Sequence, residues 1–231
     1  MKPLLLYFLA LGIAATAAAQ GTTIGPEVGF GASRYFAAEG SPRGIAGVDE
    51  TPGYAWRLGG RVNAAIGERT YLTPGLRFAY LSSRRAIDGD DLIWGSQLTG
   101  TGFDPTLPGE DIGDLLFVEQ VFLVELPLEI RRYFGADARG FFVQGGLVPT
   151  YTIGLRLSDR ESTSRGPLER ETLQSFWLGA TAALGYEWTC SDKVAFYAQA
   201  GGTVQLLEEA SGSRSRRWDA GLTGGVRIAL R

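Results

Sequence analysis

Residues 117–134 read FVEQVFLVELPLEIRRYF, and their character alternates at every second position. Leu116, Val118, Phe122, Val124, Leu126, Leu128 and Ile130 take the even places. Glu119, Glu125, Glu129 and Arg131 share the odd places with Val121, Leu123 and Pro127. Successive side chains of a strand point to opposite faces of its sheet. The segment therefore predicts one long β-strand with a hydrocarbon face and a face that carries charge.

The same two-residue period recurs along the chain. Eight such segments are expected, at 24–36, 54–66, 70–82, 116–132, 141–157, 174–188, 194–207 and 218–230. Their connections alternate in length. GERT (67–70), GADARG (135–140) and TCSDK (189–193) are short, whereas 37–53, 83–115, 158–173 and 208–217 are longer and polar. An even number of strands with short turns at one end and long loops at the other is the layout of a bacterial outer-membrane barrel.

The charged residues keep to one face. Tyr54, Trp56, Leu58, Val62, Ala64 and Ile66 oppose Arg57, Arg61 and Asn63; Leu72, Pro74, Leu76, Phe78 and Tyr80 oppose Thr73 and Arg77. Phe141, Val143, Leu147, Tyr151 and Ile153 oppose Gln144, Thr150, Thr152 and Arg156. Phe176, Leu178, Leu184, Tyr186 and Trp188 oppose Thr181 and Glu187, and the last strand sets Trp218, Leu222, Val226, Ile228 and Leu230 against Asp219, Thr223 and Arg227. Alternation alone also fits a soluble lipocalin-like binder with its apolar face inward. Three features favour apolar-out. The segments run to twelve or more residues, against about five or six for strands of soluble proteins. Aromatic residues gather at both ends: Tyr54, Trp56, Tyr80, Phe176 and Trp218 toward the long loops, Phe134, Phe141, Tyr186 and Trp188 toward the short turns. Such belts mark membrane interfaces. Finally, no lysine stands on the charged face, where a confined lumen would favour arginine, whose planar fork pairs with carboxylates.

The chain opens MKPLLLYFLALGIAATAAAQ. Lys2, the apolar run Leu4–Ala15 and the small residues Ala17, Ala18 and Ala19 match a secretory signal, so 1–19 is expected to be removed and 20–231 to form the barrel domain. Cys190 is the single cysteine, which excludes an internal disulfide and points to a free thiol in a turn. A net charge of −3 gives no electrostatic footprint for nucleic acid.

With these residues in view, the chain resembles the PorT-like family of outer-membrane β-barrel proteins. The likeness is carried by VELPLEIRRYF within Leu123–Phe134, by FFVQGGLVPTYTIG (141–154) after a short turn, and by the closing GLTGGVRIAL. It implies an outer-membrane barrel and permits an accessory role in envelope protein export. The ending Leu230-Arg231 departs from the terminal aromatic common in such barrels.

The chain contains no histidine. That excludes Ser/His/Asp and Cys/His arrangements. Glu125 and Glu129 could form a proton-transfer pair or a gate. The alternative is an ion-pair core built from Arg57, Arg61, Arg77, Arg131, Arg156 and Arg227 with Glu119, Glu125, Glu129 and Glu187, because pairing is the economical way to keep charges inside a barrel. Asp88, Asp90, Asp91, Asp104, Glu110, Asp111 and Asp114 crowd the longest loop, either as a solvated acidic loop or as a calcium site, though the spacing matches no EF-hand. Gly29 and Gly31 are not a phosphate cradle, since no helix follows. Arg214, Arg216 and Arg217 could meet lipopolysaccharide phosphates or stand as exposed charge.

The expectation is thus an all-β, eight-stranded, antiparallel, up-and-down barrel of the outer membrane, with no cofactor and no catalytic or metal site. Its expected role is non-enzymatic, structural or interactive, with long loops outside. Its expected surroundings are outer-membrane lipid, lipopolysaccharide and the barrel-assembly machinery, with an envelope protein as a possible partner. The alternatives are a narrow solute channel or an accessory component of an envelope export system.

Overall fold

The computed structural model describes residues 22–37, 48–87, 115–135, 139–159, 176–206 and 215–230. The expected signal, 1–19, and the acidic stretch 88–114 lie outside these residues. Ten hydrogen-bonded segments form eight barrel strands. They are β1 (Thr23–Ala37), β2 (Val48–Thr51 and Gly53–Ala65), β3 (Thr70–Ile87) and β4 (Leu115–Glu125 and Leu128–Tyr133). Then come β5 (Gly140–Asp159), β6 (Phe176–Thr189), β7 (Val194–Gln205) and β8 (Ser215–Ala229).

Every neighbouring pair is antiparallel, and β1 pairs with both β2 and β8, from Thr23 opposite Ala229 to Ala37 opposite Ser215. The sheet is closed. Closure leaves no unpaired row of backbone groups, the one way a sheet can sit in hydrocarbon.

Two strands are interrupted where proline removes a backbone donor. The segment 116–132, expected as one run, breaks at Leu126-Pro127. The backbone stays anchored there, because Leu126 N–H donates to Pro149 O (2.8 Å) and Pro127 O accepts from Gly75 N–H (3.0 Å). In β2, Thr51 faces Arg84 while Ala55 faces Leu81, so one extra residue sits beside Pro52 as a bulge. Beyond it Val48–Thr51 pairs with Arg84–Ile87, carrying the β2–β3 hairpin into stretches expected as loop.

The two faces follow the sequence parity. Phe30, Leu58, Phe78, Phe141, Leu147, Leu184 and Leu222 are exposed on the outside, whereas Leu81, Val121, Leu123, Phe142 and Val148 are buried inside. The outer aromatic groups form at both ends: Tyr54, Trp56 and Phe122 pack around Tyr80, and Phe141, Tyr186 and Trp188 pack in series. Tyr80, expected as an exposed belt residue, is instead buried beneath its neighbours' rings.

The inner face is less uniformly polar than the sequence suggests. Toward the long loops Leu81, Val121, Leu123 and Trp177 pack with Ala55 and Ala79. Toward the short turns Tyr133, Phe142 and Tyr197 pack with Tyr71. An eight-stranded barrel is just wide enough for side chains to fill, and here hydrocarbon and rings share that filling with charged groups. A belt of ions runs from below the upper apolar level into the lower cluster of rings.

Candidate functional site

The ionic belt is assembled by register. Arg77 on β3 stands directly opposite Glu125 on β4, and Arg131 on β4 directly opposite Gln144 on β5. Directly opposed side chains on one face lie close enough to interact. Here Arg77 Nε reaches Glu125 Oε2 at 2.9 Å, and Arg131 Nε donates to Gln144 Oε1 at 2.8 Å.

Further contacts join side chains of both adjacent and non-adjacent strands. Arg57 lies 3.1 Å from Glu125 and 2.7 Å from Asp219, linking β2 to β4 and β8. Arg61 lies 3.0 Å from Glu27 and 2.9 Å from Glu129. Tyr197 O–H donates to Glu27 Oε2 at 2.8 Å, and Gln144 Nε2 to Glu129 Oε2 at 2.8 Å. Nearer the short turns, Glu187 accepts from Arg227 at 2.6 Å and from Tyr133 O–H at 2.6 Å, with Arg131 at 3.6 Å. Arg227 also donates to the Tyr133 hydroxyl oxygen and to Thr23 Oγ1, the latter at 3.0 Å. The contacts run without a gap from Asp219 to Thr23, and each of the eight strands supplies at least one member.

Aromatic rings complete the lower half. The Arg131 guanidinium carbon lies 4.1 Å from the Phe142 ring centre and 4.6 Å from that of Tyr197. Arg227 lies 5.1 Å from the Tyr71 ring centre. Each ring presents its negative face to a cation that already has a carboxylate partner. Two glycines make room for this packing. A Cβ on Gly185 would come within 2.3 Å of the Phe142 ring, and one on Gly225 within 2.6 Å of the Tyr197 hydroxyl. Gly185→Ala is therefore expected to lower stability by about 1–3 kcal/mol through overpacking, read from a urea titration of the barrel in detergent micelles.

Of the residues expected in the ion-pair core, Arg57, Arg61, Arg77, Glu125, Glu129, Arg131, Glu187 and Arg227 all belong to this belt. The side chains of Glu119 and Arg156 lie outside the described residues. Sequence reasoning missed Glu27 altogether, and left out Asp219, Gln144, Tyr133 and Tyr197 as partners. Glu27 had a signal: it shares odd parity with Gly29, Gly31 and Ser33, against Ile24, Val28 and Phe30. Pro26 beside it obscured the alternation. The inward tyrosines had only their parity, Tyr133 with Arg131 and Tyr197 with Gln199, against a residue type that suits a lipid-facing position.

A cavity of about 30 Å³ lies between Arg57, Arg77 and Asp219 on one side and Gly29, Gly201, Gly221, Thr203 and Thr223 on the other. That holds about two water molecules. Among the described residues no group of three or more His, Cys, Asp or Glu side chains could hold a metal ion. Cys190 is a free, exposed thiol in the turn between β6 and β7. The belt can brace the barrel and obstruct it. Every described carboxylate within it is held by at least one guanidinium.

No family model matches the sequence, and no curated protein does. Solved structures that resemble it include the attachment invasion locus protein Ail of Yersinia pestis in complex with sucrose octasulfate, at 11% identity and TM-score 0.41, covering 90% of this chain and 99% of that one. Neisserial surface protein A is similar at 12% identity and TM-score 0.40, covering 91% and 100%. The outer membrane protein OprG from Pseudomonas aeruginosa is similar at 14% identity and TM-score 0.34, covering 91% and 93%.

Proposed function

We propose that the protein is a non-enzymatic barrel of the outer membrane, with a structural or interaction role carried by its long loops, and with a lumen closed by its own ion pairs. The observation that carries this reading is the belt linking Asp219, Arg57, Glu125, Arg77, Glu27, Arg61 and Glu129 across the barrel interior. A barrel that fills its bore in this way has rigid walls and no continuous water column. The outward face supports the membrane location, since Phe30, Leu58, Phe78 and Leu222 would otherwise stand exposed to water together. The absence of histidine from the chain supports a role without acid–base catalysis by imidazole. On this reading its surroundings are outer-membrane lipid and lipopolysaccharide, its insertion depends on the barrel-assembly machinery, and its partner is an envelope protein met through the loops. The resemblance to PorT-like barrels permits an accessory role in envelope protein export as an alternative reading.

The test is electrical. Purified barrel in planar bilayers is expected to give no steady conductance, while the same preparation shifts in mobility on unheated detergent gels as a folded barrel. Reproducible single-channel steps would make the solute channel the better reading. Recovery of the protein as a soluble periplasmic species would overturn the membrane location.

A further inference from the structure

Arg57, Arg61, Arg77, Arg131 and Arg227 pair with carboxylates in the lumen, and two other arginines stand at the short-turn end. Arg69 lies in the turn between β2 and β3, and Arg132 lies near the end of β4, with its exposed side chain on the outward face. Neither side chain makes an ion pair or hydrogen bond among the described residues. Together with Glu68 and Thr70 they line an open recess of about 350 Å³. The recess is held by backbone hydrogen bonds: Ile66 N–H donates to Thr70 O (2.9 Å), and Tyr133 N–H donates to Arg69 O (2.9 Å). Thr70 stands directly opposite Arg132 in the ladder. The second of these bonds ties the turn that carries Arg69 to the residue next to Arg132.

The surroundings of the recess are hydrocarbon. Ile130 and Phe134 flank Arg132 along the outward parity of β4 at 52% and 62% exposure, and Ile66, at 58%, begins the turn. An arginine on a lipid-facing strand between two exposed apolar residues keeps its stem in hydrocarbon and its guanidinium at headgroup level. Guanidinium groups bind phosphate oxygens through paired N–H donors. Glu68 adds a carboxylate to the same recess, and no ion pair with either arginine engages it.

We propose that this recess is a binding site for the phosphoethanolamine headgroup of a membrane phospholipid, with Arg69 and Arg132 on the phosphate and Glu68 on the ammonium. The assignment rests on the outer-membrane reading, in which the short turns meet the inner, phospholipid leaflet. Two cations and one anion around a single recess complement a zwitterion whose phosphate and ammonium stand a few bonds apart. A headgroup with phosphate but no cation leaves Glu68 unanswered. A choline headgroup carries a cation without N–H donors.

The test uses the full barrel reconstituted in vesicles of equimolar phosphatidylethanolamine, phosphatidylglycerol and phosphatidylcholine. It is then extracted into mild detergent, and the retained lipid is quantified by mass spectrometry. Phosphatidylethanolamine is expected to be enriched severalfold over both others. Arg132→Gln should abolish that enrichment, and Glu68→Gln should bring phosphatidylethanolamine down to the level of phosphatidylcholine. Equal retention of the three lipids, preference for phosphatidylglycerol, or a Glu68→Gln variant with unchanged selectivity would overturn the proposal. Mobility on unheated gels and protection from added protease are read on every sample. A barrel that never enters the vesicles contradicts the membrane location itself, whereas an inserted barrel without selectivity contradicts only the headgroup site.

Discussion

Replacing Glu125 with alanine is expected to lower the barrel's unfolding free energy by about 3–5 kcal/mol, the range for breaking a buried pair by removing one partner. Glu125 is fully buried, accepts from Arg57 at 3.1 Å and forms an ion pair with Arg77 at 2.9 Å. Without it Arg57 retains Asp219 at 2.7 Å, but Arg77 retains only Glu27, at 3.8 Å. The loss therefore falls mainly on Arg77, which is left charged and buried beside a cavity of about 30 Å³. Deleting both partners removes the stranded charge. Glu125→Gln combined with Arg77→Met should cost less than the sum of the two single changes, with a coupling within the 0.5–3 kcal/mol typical of residues in one network. Urea titrations of the four proteins in the same detergent provide the measurement. Additive costs would mean that Arg77 and Glu125 lie side by side without stabilising one another, and the belt would lose its structural role.

The facing of each side chain was legible because a strand has a fixed period, and the period survives even where pairing stops. Glu125 and Glu129 straddle the break at Leu126-Pro127 and still point inward together. The identity of each pair was not legible. Arg57 meets Glu125 and Asp219, far apart in the chain, because the stagger of successive strands brings β2, β4 and β8 to one level; no local pattern encodes that stagger. The extra residue beside Pro52 and the register shift between Phe122 and Leu123 alter the stagger further. The inward aromatics were hidden for a different reason. Tyr133, Phe142, Trp177 and Tyr197 look like lipid-facing residues by type, and only their parity with Arg131, Gln144 and Gln199 places them inside. Composition and period disagreed at those positions, and period prevailed, because strand geometry cannot turn a single side chain through the sheet.

Leu222→Arg separates a barrel in lipid from a barrel in water. Leu222 is the central residue of β8, pairs with Phe30 on β1 and Ala200 on β7, and is 68% exposed on the outer face. In a bilayer that position meets hydrocarbon near the midplane, where an arginine costs about 2–4 kcal/mol. Leu230, just past the end of β8 and 53% exposed, sits at the short-turn rim. There a guanidinium reaches the headgroups, and Leu230→Arg is expected to cost about 0–1 kcal/mol. The gradient between the two sites is the diagnostic quantity, since hydration of an outer face by water carries no dependence on depth. Guanidinium titrations of both variants refolded into vesicles of phosphatidylcholine measure it directly. A steep gradient places the outward face in lipid. Two costs near zero would mean that the exposed leucines face water, and the closed belt of ion pairs would then be the core of a soluble barrel.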